Sequence, residues 1–184
     1  MSKTLRLSGV VKESIVDGAG LRLVVFSQGC PHHCPECHNP HTHDFNAGTD
    51  TDVQKIVDEV LKNPMLRGVT FSGGEPFCQA DGFAELAKRL KVENRKLDIM
   101  VYSGWTYEQL IEKAKKEPAV EKLLHLCDTM VDGPFIVAQK DLTLRYRGSK
   151  NQRYIDLNRT RISGKVTLVN EFGWVDRRTK YRGC

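Results

Sequence analysis

The chain has 184 residues, 40% of them hydrophobic, and a formal net charge of +5. That is enough apolar sequence for one buried core, and the charge is mild for a nucleic-acid binder. No apolar run reaches membrane-spanning length and no charged start leads into an apolar signal region, so a single-domain protein of the reducing cytoplasm, away from membranes, is expected.

Strand-like and helix-like segments alternate along the chain. Residues 21–26 read as the first well-defined strand, with a cysteine-rich run at its C-terminal end. Residues 52–61 place Val53, Ile56, Val57, Val60 and Leu61 at a helical period. Residues 68–72 form the next strand, and 79–90 a helix with Phe83, Leu86, Ala87 and Leu90 on one face. A third strand spans 97–102, and Thr106 stands where an N-cap belongs, ahead of a helix through Leu110, Ile111 and Ala114. A shorter fourth strand covers 129–131 and ends at Asp132.

After Asp141 the chain turns loop-rich and basic. Residues 165–169 suggest an edge strand or a small extension, and the tail at 177–182 is expected to be flexible. The alternation predicts an α/β fold: a parallel sheet with helices outside. Ligands in such folds sit beyond the C-terminal ends of the strands, and four strand ends carry the chemistry-bearing residues. The chain is too short for eight β/α units, which predicts an incomplete barrel open on one side.

Cys30, Cys34 and Cys37 stand in the spacing C-x-x-x-C-x-x-C with no fourth cysteine near. A closed zinc knot or an ordinary electron-transfer cluster wants four protein ligands, whereas three leave one iron of a cubane open to a substrate. His32, His33, His38, His41 and His43 surround the run, and three cysteines with a histidine also make a structural zinc site. The spacing alone leaves both centres open.

The strand at 68–72 ends in Gly73, Gly74, Glu75 and Pro76, a pattern that brings bare backbone and a carboxylate close to a ligand. Of the other cysteines, Cys127 fits a buried packing role, Cys78 lies three residues past Glu75, and Cys184 is terminal. The cluster of three in one run argues against a disulfide framework.

The cysteine spacing resembles that of the radical S-adenosylmethionine (SAM) enzymes, and Gly73, Gly74 and Glu75 resemble their Gly-Gly-Glu element. Residues 131–135 and 144–153, with Arg147, Gly148, Ser149, Asn151, Gln152 and Arg153, are similar to the activating proteins of anaerobic ribonucleoside-triphosphate reductases. Residues 16–22 match the segment that precedes the cluster strand in glycyl-radical activating enzymes. The likeness runs from about residue 14 to 153, leaving 154–184 as a basic C-terminal extension.

The resemblance implies that Cys30, Cys34 and Cys37 hold a [4Fe–4S] cluster whose open iron binds SAM. Gly73 and Gly74 then lie along the methionine part of SAM, with Glu75 receiving its ammonium group. Glu36, Cys37 and His38 meet the adenine through their backbone, and Ser103 and Asp132 lie near the same site. It further implies reductive cleavage of SAM to a 5′-deoxyadenosyl radical, which takes a Cα hydrogen from a glycine of the class III reductase.

An electron donor such as flavodoxin or ferredoxin is implied as a second partner. A docking role for Arg145, Arg147 and Arg153 on an acidic protein is expected from their charge; nucleic acid is not, because aromatics are not interleaved with it. Two positions depart from the pattern. Glu36 stands where an aromatic residue often precedes the third cysteine, and Ala19 where a proline is usual. A formate-lyase-type target, or a zinc or iron–sulfur module without catalysis, are the rival readings.

Overall fold

A computed structural model of the chain describes residues 3–170. Its centre is one seven-stranded sheet: β1 (Thr4–Ser14), β2 (Arg22–Ser27), β3 (Thr49–Asp52), β4 (Gly68–Gly73), β5 (Asp98–Tyr102), β6 (Thr129–Asp132) and β7 (Arg153–Asp156), in the order β3-β1-β2-β4-β5-β6-β7. β2, β4, β5 and β6 run parallel to one another. β1 pairs antiparallel with β2 and β3, and β7 antiparallel with β6, so the sheet is mixed rather than wholly parallel.

Among the described residues five α-helices accompany it: α1 (Val53–Leu61), α2 (Ala80–Glu93), α3 (Tyr107–Ala114), α4 (Pro118–Leu126) and α5 (Leu157–Ser163). Asp52 caps α1 through the Gln54 N–H, and Thr106 and Gln109 close a reciprocal capping box on α3. The run at 165–169 is not a regular strand. Leu168 makes an isolated bridge to Ile155, and Val169 N–H donates to the Tyr154 carbonyl. The tail at 177–182 and Cys184 lie outside the described residues.

The two faces of the sheet differ because side chains alternate along each strand. Leu23 and Val25, Val69 and Phe71, Ile99 and Val101, and Met130 join one large apolar core with the buried faces of α1, α2, α3 and α4. Their neighbours fall on the other face, where only Met100, Val131 and Tyr154 form a small second cluster. Apart from the buried Val24, the rest of that face is largely polar or aromatic. Arg22, nearly fully buried, donates to Thr70 Oγ1 and the Val69 carbonyl and pairs with Asp98. Phe26, Ser72, Gly73 and Tyr102, at the upper ends of β2, β4 and β5, line a cavity. The helices cover one face, and the other is left to the chemistry.

Candidate active site

The loop after β2 carries the three cysteines and is folded back on itself. Gly29 N–H donates to the Thr42 carbonyl at 2.8 Å, and Cys30 N–H to the His43 carbonyl at 3.2 Å. The buried Gln28 side chain donates to the carbonyls of His41 and Asp44 at 3.1 and 2.7 Å, clamping the returning segment. His33 and Glu36 sit in the left-handed region (φ 46° and 52°), a strained backbone that turns the loop just before Cys34 and Cys37.

Cys30, Cys34 and Cys37 line one cavity of about 120 Å³, together with Gly73, Gly74 and Ser103. Among the described residues no three His, Cys, Asp or Glu side chains stand close enough to hold a single metal ion. The residues present thus offer three sulfur donors to one cavity.

The electrostatics of the loop follow from its burial. The Cys30 thiol is pushed up to about 11, chiefly by burial and further by Glu75, Cys34 and Cys37. Loading a metal there must therefore displace a proton. Asn39 N–H donates to Cys37 Sγ at 3.4 Å, a contact of the kind that tunes thiolate ligands. Burial, with His33 and His41 nearby, holds the His43 imidazole below its usual range and hence neutral. His43 lines the same cavity, and its buried Nε2 has no hydrogen-bond partner among the described residues.

Gly73 and Gly74 are glycines for a steric reason. A Cβ on Gly73, whose φ is +91°, would stand 2.7 Å from Phe26 Cα; one on Gly74 would stand 2.4 Å from the Gly29 carbonyl oxygen. The backbone here presses directly on the cysteine loop, with Gly74 N–H donating to Ser27 O and Glu75 N–H to Gly29 O. Glu75 is fully buried. One carboxylate oxygen accepts from Gly104 N–H at 2.8 Å and Ser103 Oγ at 3.0 Å, and lies 2.8 Å from His32 Nε2. The other accepts from Phe77 N–H. Both oxygens, expected to meet an incoming ammonium, are engaged inside the chain. They tie the cysteine loop to the ends of β4 and β5.

A larger cavity of about 390 Å³ adjoins the first and shares Cys37, Gly73, Tyr102, Phe135 and Gln152 with it. His38 is on its wall, its ring 5.1 Å from that of Phe135. Burial keeps the Tyr102 phenol protonated. Phe135, Gln152 and Tyr146 were not legible as site residues, because only the loop that follows β6 brings them here.

Other expected residues are placed elsewhere. The Glu36 side chain is exposed, 3.9 Å from Lys140, and lies off both cavity walls. Asp132 is buried, but its carboxylate accepts from Tyr107 N–H at the start of α3 and pairs with Arg153. Arg153 also pairs with Glu108 at 2.7 Å, so it braces β7 against α3 instead of offering a free docking charge. Arg147 lines the larger cavity and donates to the Gln152 carbonyl, and Arg145 is exposed. Cys78 is exposed on the 3₁₀ turn Pro76–Gln79, and Cys127 is buried.

Residues 16–155 match the family model of a 4Fe-4S single cluster domain. The anaerobic ribonucleoside-triphosphate reductase-activating protein of Vibrio cholerae is 35% identical over 145 residues, 75% of this chain and 89% of that protein. Its counterpart in Escherichia coli K12 is 32% identical over 144 residues, 75% and 90% of the two chains. The pyruvate formate-lyase-activating enzyme of Listeria monocytogenes is 41% identical over 85 residues, 44% of this chain but 34% of that one. Among solved structures, QueE from Escherichia coli gives a TM-score of 0.43 at 17% identity, over 56% of this chain and 54% of that one.

Proposed function

The chain belongs to the family of anaerobic ribonucleoside-triphosphate reductase-activating proteins, an iron–sulfur family, and on that premise we propose that it is a radical SAM activase that installs a glycyl radical on its reductase. The observation that carries this reading is the placement of Cys30, Cys34 and Cys37 round one cavity that is floored by Gly73 and Gly74 and adjoins a larger one. When bound, the cluster and SAM supply reductive cleavage of the sulfonium and hydrogen-atom abstraction from a glycine Cα.

The chain's own residues hold and orient. Cys30, Cys34 and Cys37 supply the sulfur ligands, and Asn39 N–H steadies Cys37. Gly73 and Gly74 leave room along the strand end for the methionine part of SAM, beside Ser103 and Gly104. His38 and Phe135 offer flat walls for the adenine. Glu75 acts from behind, holding His32 and the end of β5 in register, and an ammonium reaching it takes the place of an internal donor. Asp132 and Arg153 brace the wall.

In this reading the mixed sheet is an incomplete barrel, its polar face the inner one. The chain works as one domain in the cytoplasm, and flavodoxin or ferredoxin supplies the electron. A formate-lyase-type target is the second reading, favoured by the 41% identity over 85 residues to the Listeria enzyme. The longer matches to the reductase activators outweigh it.

The test is anaerobic reconstitution with iron and sulfide, then SAM and a strong reductant, following 5′-deoxyadenosine. Cleavage that vanishes in Cys34→Ala supports the reading. About four irons per chain with no cleavage, with or without reductase, refutes it, and a single tightly held zinc points to a binding module.

A further inference from the structure

Building on the activase reading, we propose that the reductase docks on an apolar ridge formed by the outer half of β1 and the loop after it. Val10 is 37% exposed, Val11 44%, Ile15 74% and Val16 73%. Val10 and Val11 stand opposite Val25 and Val24 and so point to opposite faces of the strand; Val11, Ile15 and Val16 are the exposed apolar side chains of the ridge, a feature that marks an interaction surface.

The loop that displays them is held in place. Thr70 Oγ1 accepts from the buried Arg22 Nε and donates to the Asp17 carbonyl, both at 2.7 Å. Ser14 Oγ donates to the Asp17 carboxylate and accepts from Val16 N–H. An ordered loop presenting Ile15 and Val16 loses little entropy when a partner covers it.

The backbone beside the ridge is also open. β3 pairs with β1 only at residues 4–7, so among the described residues no strand covers the outer edge of residues 8–14. Main-chain groups that no described strand pairs with, next to apolar side chains, suit the addition of an extended segment. Register shifts between Leu7 and Gly9 and between Val11 and Ser14 break the regularity of this edge. Such irregularities discourage pairing with a second copy of the same edge, leaving room for a partner shaped to it.

The cavity identifies the occupant. Val16 is both exposed and part of the wall of the 390 Å³ cavity that reaches Cys37. A chain segment that carries a glycine into that cavity must pass this rim, and the residues flanking the glycine then lie against Ile15 and the β1 edge. The partner face is an extended, largely apolar stretch next to the target glycine. Of the arginines given the docking role from charge, Arg153 is held in ion pairs and Arg147 stands on the cavity wall.

Val11→Asp and Ile15→Asp, singly and together, test this in the full, cluster-loaded protein, with Val16 untouched because it lines the cavity. Ile15→Ser serves as the milder variant. Two quantities are read: the activase concentration giving half-maximal glycyl radical on the reductase, by electron paramagnetic resonance, and 5′-deoxyadenosine release without reductase.

The expected result is at least a tenfold rise in half-maximal concentration for the double variant, a smaller rise for Ile15→Ser, and unchanged release in both. An unchanged half-maximal concentration overturns the docking site. Loss of 5′-deoxyadenosine release even in Ile15→Ser overturns it too, assigning the ridge to the fold. A native dimer that Ile15→Asp dissociates gives the ridge to a second copy and overturns it. Native protein that cleaves no SAM refutes the activase reading instead, and is distinguished because it precedes any variant.

Discussion

Gly74→Ala is the sharpest test of why two glycines follow β4. The new Cβ would stand 2.4 Å from the Gly29 carbonyl oxygen and 3.0 Å from that of Thr42, and both are backbone atoms that no rotamer change can move aside. Restoring ordinary contact requires the cysteine loop to retreat by about 1 Å in a close-packed region. Overpacking of this kind costs roughly 1–3 kcal/mol. The retreat also stretches two bonds, Gly74 N–H to Ser27 O at 2.9 Å and Glu75 N–H to Gly29 O at 2.8 Å. Each is worth about 1 kcal/mol net.

A loss of about 2–4 kcal/mol is expected, which lowers the melting temperature of a chain this size by roughly 4–16 °C. Because the displaced segment begins at Gly29, next to Cys30, iron content after reconstitution should fall with it. Gly9→Ala is the control: nothing lies within 4 Å of its added Cβ, and neither quantity should drop. Differential scanning calorimetry and iron assay on the three proteins decide the matter. Native melting and full iron in Gly74→Ala would refute the close-approach role.

Three more expectations follow from the same geometry. Glu75→Gln should lower both iron content and SAM affinity, because the carboxylate organises His32, Ser103 and Gly104 around the cysteine loop; weakened SAM binding with full iron would instead make Glu75 a direct ligand of SAM. Arg153→Ala removes the partner of the buried Asp132 and should cost about 2–3 kcal/mol in urea unfolding, the low side for a buried pair because Arg153 is partly exposed; a loss below 0.5 kcal/mol would put it among ordinary surface pairs. The raised Cys30 pKa means that thiolate is scarce at neutral pH. In cluster-free protein, Cys30 should react with iodoacetamide about a hundredfold more slowly at pH 8 than a thiol at 9.0, and faster as the pH climbs toward 11. Site-resolved mass spectrometry reads this, and a fast, pH-independent rate would contradict the burial of that thiol.

The helices and the central strands were legible because burial on one face imposes a period. Val53, Ile56, Val57 and Val60 repeat as a helix must, with Asp52 and Thr106 marking starts. β1 escaped because its outer half faces water on an open edge, so hydrophobic alternation has nothing to report. β3, the polar Thr49–Asp52, belongs to the same sheet edge and is set only by pairing with β1. β7 and α5 were hidden by basic residues whose partners are remote: Arg153 meets Asp132 and Glu108, and Arg161 reaches the Leu124 and Cys127 carbonyls.

At the site, the cysteines and glycines stood out because residue type and spacing are themselves the chemistry. The internal partners of Glu75 did not, because His32, Ser103 and Gly104 come from two separate strand ends. Asp132 looked like a site residue from its place at the end of β6, and only the packing of α3 and β7 shows where its carboxylate goes.

The most direct measurement follows a labelled hydrogen. Reductase with its glycines deuterated at Cα is activated by the reconstituted protein, and the released 5′-deoxyadenosine is weighed by mass spectrometry. Deuterium in the nucleoside, matched by a glycyl radical on the reductase, is the expected result. Unlabelled 5′-deoxyadenosine with no radical on the reductase would contradict the assignment of that protein as the target.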